Sequence, residues 1–124
     1  MVLADLELSR LAGGLFRGIF LANEEMVGVV DVVAAGFAGN PEHAFLELLM
    51  IGAPFRGMGI GEWVVNEVEK EICRDPGVKA ILSGVQVNNP AAVAFWQKMG
   101  YQIVSAAHTL PDTTTVFDLR KELR

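Results

Sequence analysis

Apolar, strand-like runs alternate with helical patterns along this chain. Runs rich in Val, Ile, Leu and Phe predict strands at residues 15–22, 26–37, 44–51, 78–87, 101–106 and 113–121. Between the third and fourth runs, Ile60, Val64, Val68 and Ile72 recur every four residues with glutamates off that stripe, which predicts an amphipathic helix over residues 62–72.

Two further segments have helical signals. Asn88-Asn89-Pro90 offers a cap followed by proline, and Gly100 offers an end, so residues 91–99 are predicted to form a second helix. Residues 3–12 are interpreted as a short helix or lead-in to the first strand. The resulting order, β-β-β-α-β-α-β-β, predicts an α/β (α+β) fold whose mixed, mostly antiparallel sheet surrounds a central β-α-β-α unit.

Length, charge and cysteine content narrow the function classes. No repeat, linker or low-complexity tract divides the 124 residues, so residues 1–124 are predicted to form a single domain. Ten basic against 15 acidic residues give a net charge of −5, which argues against nucleic-acid binding. A lone cysteine gives neither a disulfide nor a metal spacing, and no apolar run reaches membrane-spanning length. We therefore expect a cytoplasmic protein without a metal site or membrane partner.

A glycine-rich turn follows the third strand, where Gly57, Gly59 and Gly61 come directly after Arg56. Free N–H groups at a helix N-terminus, approached through glycine, favour an anion such as pyrophosphate. The dinucleotide fingerprint fails because Glu62 stands where its last glycine would be, and a Walker loop fails because residues 52–61 contain no lysine. The alternative interpretation is a plain strand-to-helix turn whose glycines serve packing.

Two motifs give this chain its family resemblance. The segment Arg56-Gly57-Met58-Gly59-Ile60-Gly61 resembles the acetyl-CoA signature Arg/Gln-x-x-Gly-x-Gly/Ala of the GCN5-related N-acetyltransferases (GNAT). A second block, from Asn89 through Phe95-Trp96 to Gly100-Tyr101, is similar to another block of that family. One predicted helix and one strand separate the two blocks, as in the family, and the resemblance covers roughly residues 15–122.

The resemblance implies acetyl-CoA as co-substrate. In this family the fourth and fifth strands splay apart, and the pantetheine arm lies between them. Carried over, the backbone of Leu49 and Ile51 would hold pantetheine, and an N–H near Leu49 would polarise the thioester carbonyl. Asn89 would bond the pantetheine arm, and Lys98 would reach the adenosine phosphates. The full predicted cofactor-binding set is Leu49, Met50, Ile51, Arg56, Gly57, Met58, Gly59, Ile60, Gly61, Asn89, Trp96 and Lys98.

Glu47 is the predicted catalytic residue. It stands inside an otherwise apolar strand, where a charge is costly unless it is paired, exposed or used. Some small-amine acetyltransferases of the family have a glutamate at the corresponding place, assigned to deprotonating the amine through water. The alternative is an edge-facing or ion-paired glutamate.

Two positions depart from the family pattern. Trp96 stands where many members have a tyrosine that protonates the leaving thiolate, and an indole N–H cannot deliver a proton near neutral pH. Tyr101 falls where the family usually has phenylalanine, so we expect it to pack in the core.

The chain also looks shortened at the N-terminus, because only about 14 residues precede the first predicted strand, and the family usually places a strand and two helices there. This feature and the 52% apolar content predict a homodimer, with residues 15–22 and 113–121 at the contact as chain-end strands free to pair.

The sequence thus predicts an N-acetyltransferase in which a primary amine directly attacks acetyl-CoA. The acceptor is a small molecule or a peptide: a peptide N-terminus, lysine, a polyamine and an aminoglycoside all stay open. The alternatives are a non-catalytic acyl-CoA-binding module and a structural dimer subunit.

Overall fold

The computed structural model of the chain describes residues 7–10, 16–20, 25–33 and 35–123, which form one sheet and two α-helices. The helices are α1 (Ile60–Cys73) and α2 (Pro90–Lys98). The strands, in chain order, are β1 (Glu7–Arg10), β2 (Phe16–Phe20), β3 (Met26–Val33), β4 (His43–Ile51), β5 (Ala80–Gln86), β6 (Gln102–Ile103), β7 (His108–Thr109) and β8 (Thr115–Glu122).

The sheet has the order β1-β2-β3-β4-β5-β8-β6, and β7 also pairs with β8. Every pairing is antiparallel except that of β4 with β5, which α1 connects as a crossover. A parallel pair needs such a crossover because the chain must return to the same end of the sheet. The predicted mixed, mostly antiparallel sheet around a central β-α-β-α unit is confirmed.

Helix α1 packs against the sheet through the apolar stripe that recurs every four residues in the sequence. Ile60, Val64, Val68 and Ile72 are all buried, and Val65 joins them on the same side. Together with Ile19, Leu46 and Ile81 of the sheet they belong to one hydrophobic core. Burial of such a stripe, rather than helix propensity, supplies most of the stability of a helix of this length.

Helix α2 begins as predicted at an asparagine cap. The Oδ1 atom of Asn89 accepts a hydrogen bond from the N–H of Ala92 at 3.1 Å, and Pro90 occupies the first helical position, where its missing N–H costs nothing. Gly100 follows the helix with a φ of +95°, a left-handed conformation that favours glycine. Trp96 is the buried residue of α2, and Ala92, Val93 and Phe95 also pack against the core.

The two ends of the chain differ from the predictions. Within the segment interpreted as a short helix or lead-in, residues 7–10 form strand β1, and the rest lies outside the described residues. β1 pairs with β2, so residues 16–20 have a strand on both sides and are not a free edge.

The closing strand is also interior, since β8 lies between β5 and the short strands β6 and β7. The premise that residues 15–22 and 113–121 offer free edges is therefore wrong for residues 16–20 and 115–122, because each of these strands has neighbouring strands on both sides. The homodimer itself stays a prediction. The strand predicted at residues 101–106 is reduced to the two residues of β6, and β7 is a further strand of two residues that pairs with β8.

Candidate active site

Strands β4 and β5 separate after three residue pairs, and this fork is the centre of the candidate site. Pairing runs from His43 opposite Ala80 to Phe45 opposite Leu82. Beyond that point β4 continues to Ile51 and β5 continues to Gln86 without further pairs between them. The separation leaves main-chain groups of β4 available to a ligand on the side that β5 has left.

A bulge in β4 lies just beyond the start of the fork. Asp31 of β3 pairs with Leu48, but the next residue, Val32, pairs with Leu46, so Glu47 is an extra residue with no partner of its own on β3. A bulge of this kind bends the strand and shifts the alternation of its backbone groups.

The shift determines which backbone groups face the fork. Before the bulge, the carbonyl oxygen of Leu46 accepts from the Ser83 hydroxyl of β5 at 2.8 Å. After it, the N–H of Gly52 donates to Val27 of β3 at 2.7 Å, so even-numbered residues now face β3. Leu49 and Ile51 consequently turn their backbone groups toward the fork, as the resemblance implied.

Gly28 on β3 shows how closely the two strands approach at this point. A Cβ atom at Gly28 would lie 2.3 Å from the carbonyl oxygen of Met50, which no real side chain could occupy without moving β4. The glycine therefore holds the outer part of β4 against β3, away from β5.

The fork opens into a cleft of about 760 Å³ between β4, α1 and α2. Eleven of the twelve predicted cofactor-binding residues line it, and the exception is Met58, whose side chain is exposed in the turn. Five further lining residues were not predicted from the sequence: Phe55, Glu62, Ala91, Ala92 and Phe95. The alanines and Phe95 lie on the α2 turns next to Asn89 and Trp96, so helical spacing from those two residues could have identified them.

The glycine-rich turn forms the end of the cleft at the N-terminus of α1. Gly57 and Gly59 have φ values of +77° and +81°, so the turn itself requires glycine at both positions. Gly59 is the N-cap of α1 and provides no side-chain hydrogen bond to the first N–H groups of the helix. Those donors are therefore directed to whatever occupies the adjoining cleft, and an anion suits them best.

Two basic side chains line this end of the cleft. The Nε atom of Arg56 donates to the carbonyl oxygen of Ile51 at 3.0 Å, which ties the turn back to the end of β4. Lys98 of α2 lies 3.3 Å from Glu62 of α1, and both side chains are well exposed. An exposed pair of this kind is weak and salt-sensitive, so Lys98 can exchange Glu62 for a phosphate at little cost.

Glu47 lies on the other face of the sheet from α1. Arg17, the register partner of Val30, bonds Glu71 of α1 at 2.7 Å, so Val30 faces α1 and the next residue, Asp31, faces away. The Glu47 carboxyl lies within hydrogen-bonding reach of Asp31 on this face. The pKa of Glu47 is raised, first by that hydrogen bond, then by partial burial and by the Asp31 charge.

The two aromatic positions that depart from the family pattern both lie in the core. Trp96 packs edge-to-face on Phe95 and on Tyr101, with ring centroids 5.3 and 4.9 Å apart. The Tyr101 hydroxyl donates to Glu69 at 2.8 Å, and burial raises the pKa of Tyr101 far above its ordinary value. The expectation that Tyr101 packs in the core is confirmed.

Neither of the two histidines lines the cleft. His108 pairs with Asp118 at 2.9 Å and His43 lies 3.4 Å from Arg120. Within the described ranges, no three His, Cys, Asp or Glu side chains are grouped so that they could hold a metal ion. The same ranges contain no helix with the length and apolar character needed to cross a membrane.

Comparison with known proteins gives a family model and two curated relatives. The model of the acetyltransferase (GNAT) family matches residues 4–101. N-alpha-acetyltransferase 50 of Danio rerio is 32% identical over 65 residues, which are 52% of this chain and 39% of that protein. N-alpha-acetyltransferase 30 of Schizosaccharomyces pombe (strain 972 / ATCC 24843) is 23% identical over 86 residues, 69% of this chain and 57% of that protein. The chain thus spans about two fifths to three fifths of the length of these relatives.

Solved structures show the same fold at low identity. Ard1 from Thermoplasma volcanium superposes with a TM-score of 0.70 at 19% identity, covering 89% of this chain and 71% of that one. A chain of the NatC complex bound to Gag peptide and CoA superposes with a TM-score of 0.72 at 17% identity, covering 89% of this chain and 72% of that one. A GNAT-family acetyltransferase from Streptococcus pneumoniae superposes with a TM-score of 0.72 at 21% identity, covering 87% of this chain and 66% of that one.

Proposed function

The chain belongs to the GNAT family of acetyltransferases, and we propose that it transfers the acetyl group of acetyl-CoA to a primary amine by direct attack on the thioester. The observation that supports this proposal most strongly is the continuity of the cleft. Backbone groups of Leu49 and Ile51 face its inner part, and the free N–H groups at the start of α1 face its outer end. An extended amide-containing arm followed by a pyrophosphate matches that order of groups.

The lining residues suit each part of acetyl-CoA in turn. Leu49, Met50, Ile51 and Trp96 would line the pantetheine arm, with the β4 backbone bonding its amides as a neighbouring strand does. Asn89 uses its Oδ1 atom for the α2 cap, which leaves its amide Nδ2 donor for the arm.

The turn would take the phosphates. Arg56, Gly57, Met58, Gly59, Ile60 and Gly61 would offer main-chain N–H groups to the pyrophosphate, and glycine lets the phosphate oxygens approach the backbone. Lys98 would leave Glu62 and bind the adenosine phosphates. Acetyl-CoA supplies the activated acyl carbon for the reaction.

Glu47 would act as the general base. Its face of the sheet is the one away from α1, so the amine would approach the fork from that side while the cleft on the α1 side holds the cofactor. Glu47 would accept a proton from the attacking amine, directly or through one water, as the C–N bond forms and the C–S bond breaks. An N–H near Leu49 would stabilise the oxyanion, and the sulfur would leave as a thiolate that takes its proton from water.

The acceptor class that we propose to test first is a peptide amino terminus. Both curated relatives are N-alpha-acetyltransferases by name, and one solved relative of the same fold holds a peptide together with CoA. Lysine side chains, polyamines and aminoglycosides are the competing acceptors.

A thiol-release assay over a panel of amines tests the proposal. Peptides with free N-termini are compared with the same peptides blocked at the N-terminus but containing lysine, with spermidine and with an aminoglycoside. We expect thiol release that depends on one of these amines and a product that contains one acetyl group. Acetyl-CoA binding without release for any amine would favour a non-catalytic acyl-CoA-binding module instead.

The proposal includes self-association of the chain, through a different strand from those predicted from the sequence. Within the described residues β1 pairs only with β2, and a second copy would pair with the other edge of β1. We propose a homodimer formed through β1. Light scattering at micromolar concentration would contradict the dimer with a mass near 13.4 kDa and support it with twice that value.

A further inference from the structure

We propose that Asp31 is a positioning residue for the reaction: its buried carboxyl holds the Glu47 carboxyl across the β4 bulge and keeps it able to accept a proton. The inference rests on the proposed function, in which Glu47 is the base. Asp31 itself would not touch the amine or acetyl-CoA.

The position of Asp31 calls for a specific partner. It is the only charged residue of β3 and only 6% exposed, in a strand otherwise made of Val, Gly and Met. A carboxylate buried in apolar surroundings costs several kcal/mol unless polar groups compensate it. The Glu47 carboxyl supplies such a group when it is protonated, because its O–H can donate to Asp31.

The bulge is what brings the two carboxyls together. In a regular strand Glu47 would pair with a residue of β3, but here Asp31 and Val32 pair with the residues on either side of it. Glu47 therefore has no register partner on β3, and its side chain can reach a neighbouring residue of that strand. Asp31, at the β3 side of the bulge, is the neighbour that it meets.

Other charged groups on this face have partners of their own. Phe45 lies two residues before Glu47 on β4, and Leu82 of β5 lies opposite Phe45 by register, so these neighbours are apolar. Further along, His43 contacts Arg120, Arg120 pairs with Glu122, and Asp118 pairs with His108. Asp31 is thus the acidic group that acts on Glu47.

The pair has a clear chemical consequence. Two neighbouring carboxyls lose their protons one after the other, because the first negative charge opposes the second. Asp31 is buried beneath the bulge while Glu47 is exposed, so Glu47 is the member of the pair that an amine or water can reach. After it takes the proton of the amine, its O–H donates to Asp31, and the proton then leaves Glu47 for the solvent.

A carbon-13 titration of the side-chain carboxyls in the folded chain tests the pairing without any substrate. We expect Asp31→Asn to move the Glu47 inflection to lower pH, since the neighbouring acceptor and charge that raise the pKa of Glu47 are lost. Asp118→Asn, on the same face but paired with His108, should leave the Glu47 curve unchanged. An unchanged Glu47 inflection in folded Asp31→Asn overturns the proposal.

The reciprocal variant keeps the test decisive where Asp31→Asn fails to fold. Glu47 is exposed, so Glu47→Gln should fold. Its free energy of unfolding at neutral pH should be higher than that of the parent chain, because a neutral amide replaces a like charge beside Asp31, and no gain in stability overturns the pairing. In an acceptor-dependent assay, Asp31→Asn should also shift the acidic limb of kcat/KM to lower pH and reduce kcat on the plateau. A different outcome is that no amine causes thiol release from acetyl-CoA, although the Glu47 inflection does respond to Asp31→Asn. That result would reject the proposed function, and with it a catalytic purpose for the pair.

Discussion

The Ser83 hydroxyl donates a 2.8 Å hydrogen bond to the carbonyl oxygen of Leu46, one residue beyond the last pair between β4 and β5. At that point the two strands have begun to separate, so the side chain of Ser83 replaces a strand-to-strand hydrogen bond. Ser83 is only 4% exposed, and the bond satisfies a carbonyl that water would reach poorly. The Ser83 side chain thus gives the Leu46 carbonyl a donor at the base of the fork.

Replacing Ser83 with alanine tests this role. We expect Ser83→Ala to lower the free energy of unfolding by about 1–3 kcal/mol, because a buried acceptor loses its donor. Chemical denaturation measures the change. Thr109→Ala, which removes an exposed hydroxyl from a 3.1 Å contact, is the control and should cost less than about 0.5 kcal/mol. Equal effects of the two substitutions would show that the fork does not depend on the Ser83 bond.

Gly59 provides a charge test of the proposed pyrophosphate site. Asn and Asp have the same shape, and both tolerate the left-handed backbone of Gly59 better than other side chains do. We expect Gly59→Asp to bind acetyl-CoA at least about tenfold more weakly than Gly59→Asn, because a carboxylate would meet the phosphates. Gly36→Asp, with the same φ of +81° and open space around it, controls for backbone strain and should bind normally. Equal affinities of Gly59→Asp and Gly59→Asn would place the phosphates elsewhere.

The general-base assignment predicts a loss of turnover that depends on pH. Glu47→Gln should retain its acetyl-CoA affinity but lower turnover by ~10²-fold near neutral pH. In the parent chain, activity should rise as pH passes the raised pKa of Glu47, because only the carboxylate can accept a proton. The deficit of the variant should shrink at high pH, where free amine is abundant. Glu67→Gln on α1 is the matched control, and a variant as active as this control at every pH would rule Glu47 out.

The burial of Tyr101 leads us to expect that the fold loses stability at alkaline pH. Its folded pKa is raised above the ordinary value near 10 by burial and by the Glu69 charge, so its contribution to stability is complete below pH 10 and declines as pH rises further. Because Tyr101 is the only tyrosine, tyrosinate absorbance should appear together with unfolding, as followed by circular dichroism. Tyrosinate formation in the folded chain near pH 10 would contradict this burial.

The Glu69 contact itself can be tested by Tyr101→Phe. The substitution removes the donor to a shielded carboxylate that also binds Lys121 at 2.8 Å. We expect about 1–3 kcal/mol lower stability near neutral pH and a weaker alkaline decline. Denaturation midpoints at neutral and alkaline pH measure both effects, and unchanged midpoints would show that the hydroxyl contributes nothing.

The central part of the fold could be predicted from local patterns. The stripe of Ile60, Val64, Val68 and Ile72 has the period of a helix, and Asn89-Pro90 has the chemistry of a helix start, so both helices follow from nearby residues. The lining residues at the start of α1 could be predicted because Arg56, Gly57, Gly59, Ile60 and Gly61 belong to one contiguous motif. The residues of this motif are consecutive, so the sequence shows them together without knowledge of the fold.

The parts that could not be predicted depend on pairing between distant segments. Residues 7–10 have a weak pattern of their own and become a strand only because β2 lies beside them. The same pairing removes the free edge that was expected at residues 15–22. The bulge at Glu47 likewise exists only relative to β3, so neither the neighbouring Asp31 nor the changed alternation of Leu49 and Ile51 could be deduced from the apolar run 44–51.

A calorimetric titration of the unmodified chain with acetyl-CoA tests most directly the central claim, that the fork and the glycine-rich turn form one acetyl-CoA site. We expect saturable binding of one acetyl-CoA per chain, competed by free CoA. The affinity should fall as salt rises, because the phosphates would contact Lys98 and the start of α1. Absence of saturable heat up to ~1 mM acetyl-CoA in the folded chain would contradict it and leave only a structural role for the fold.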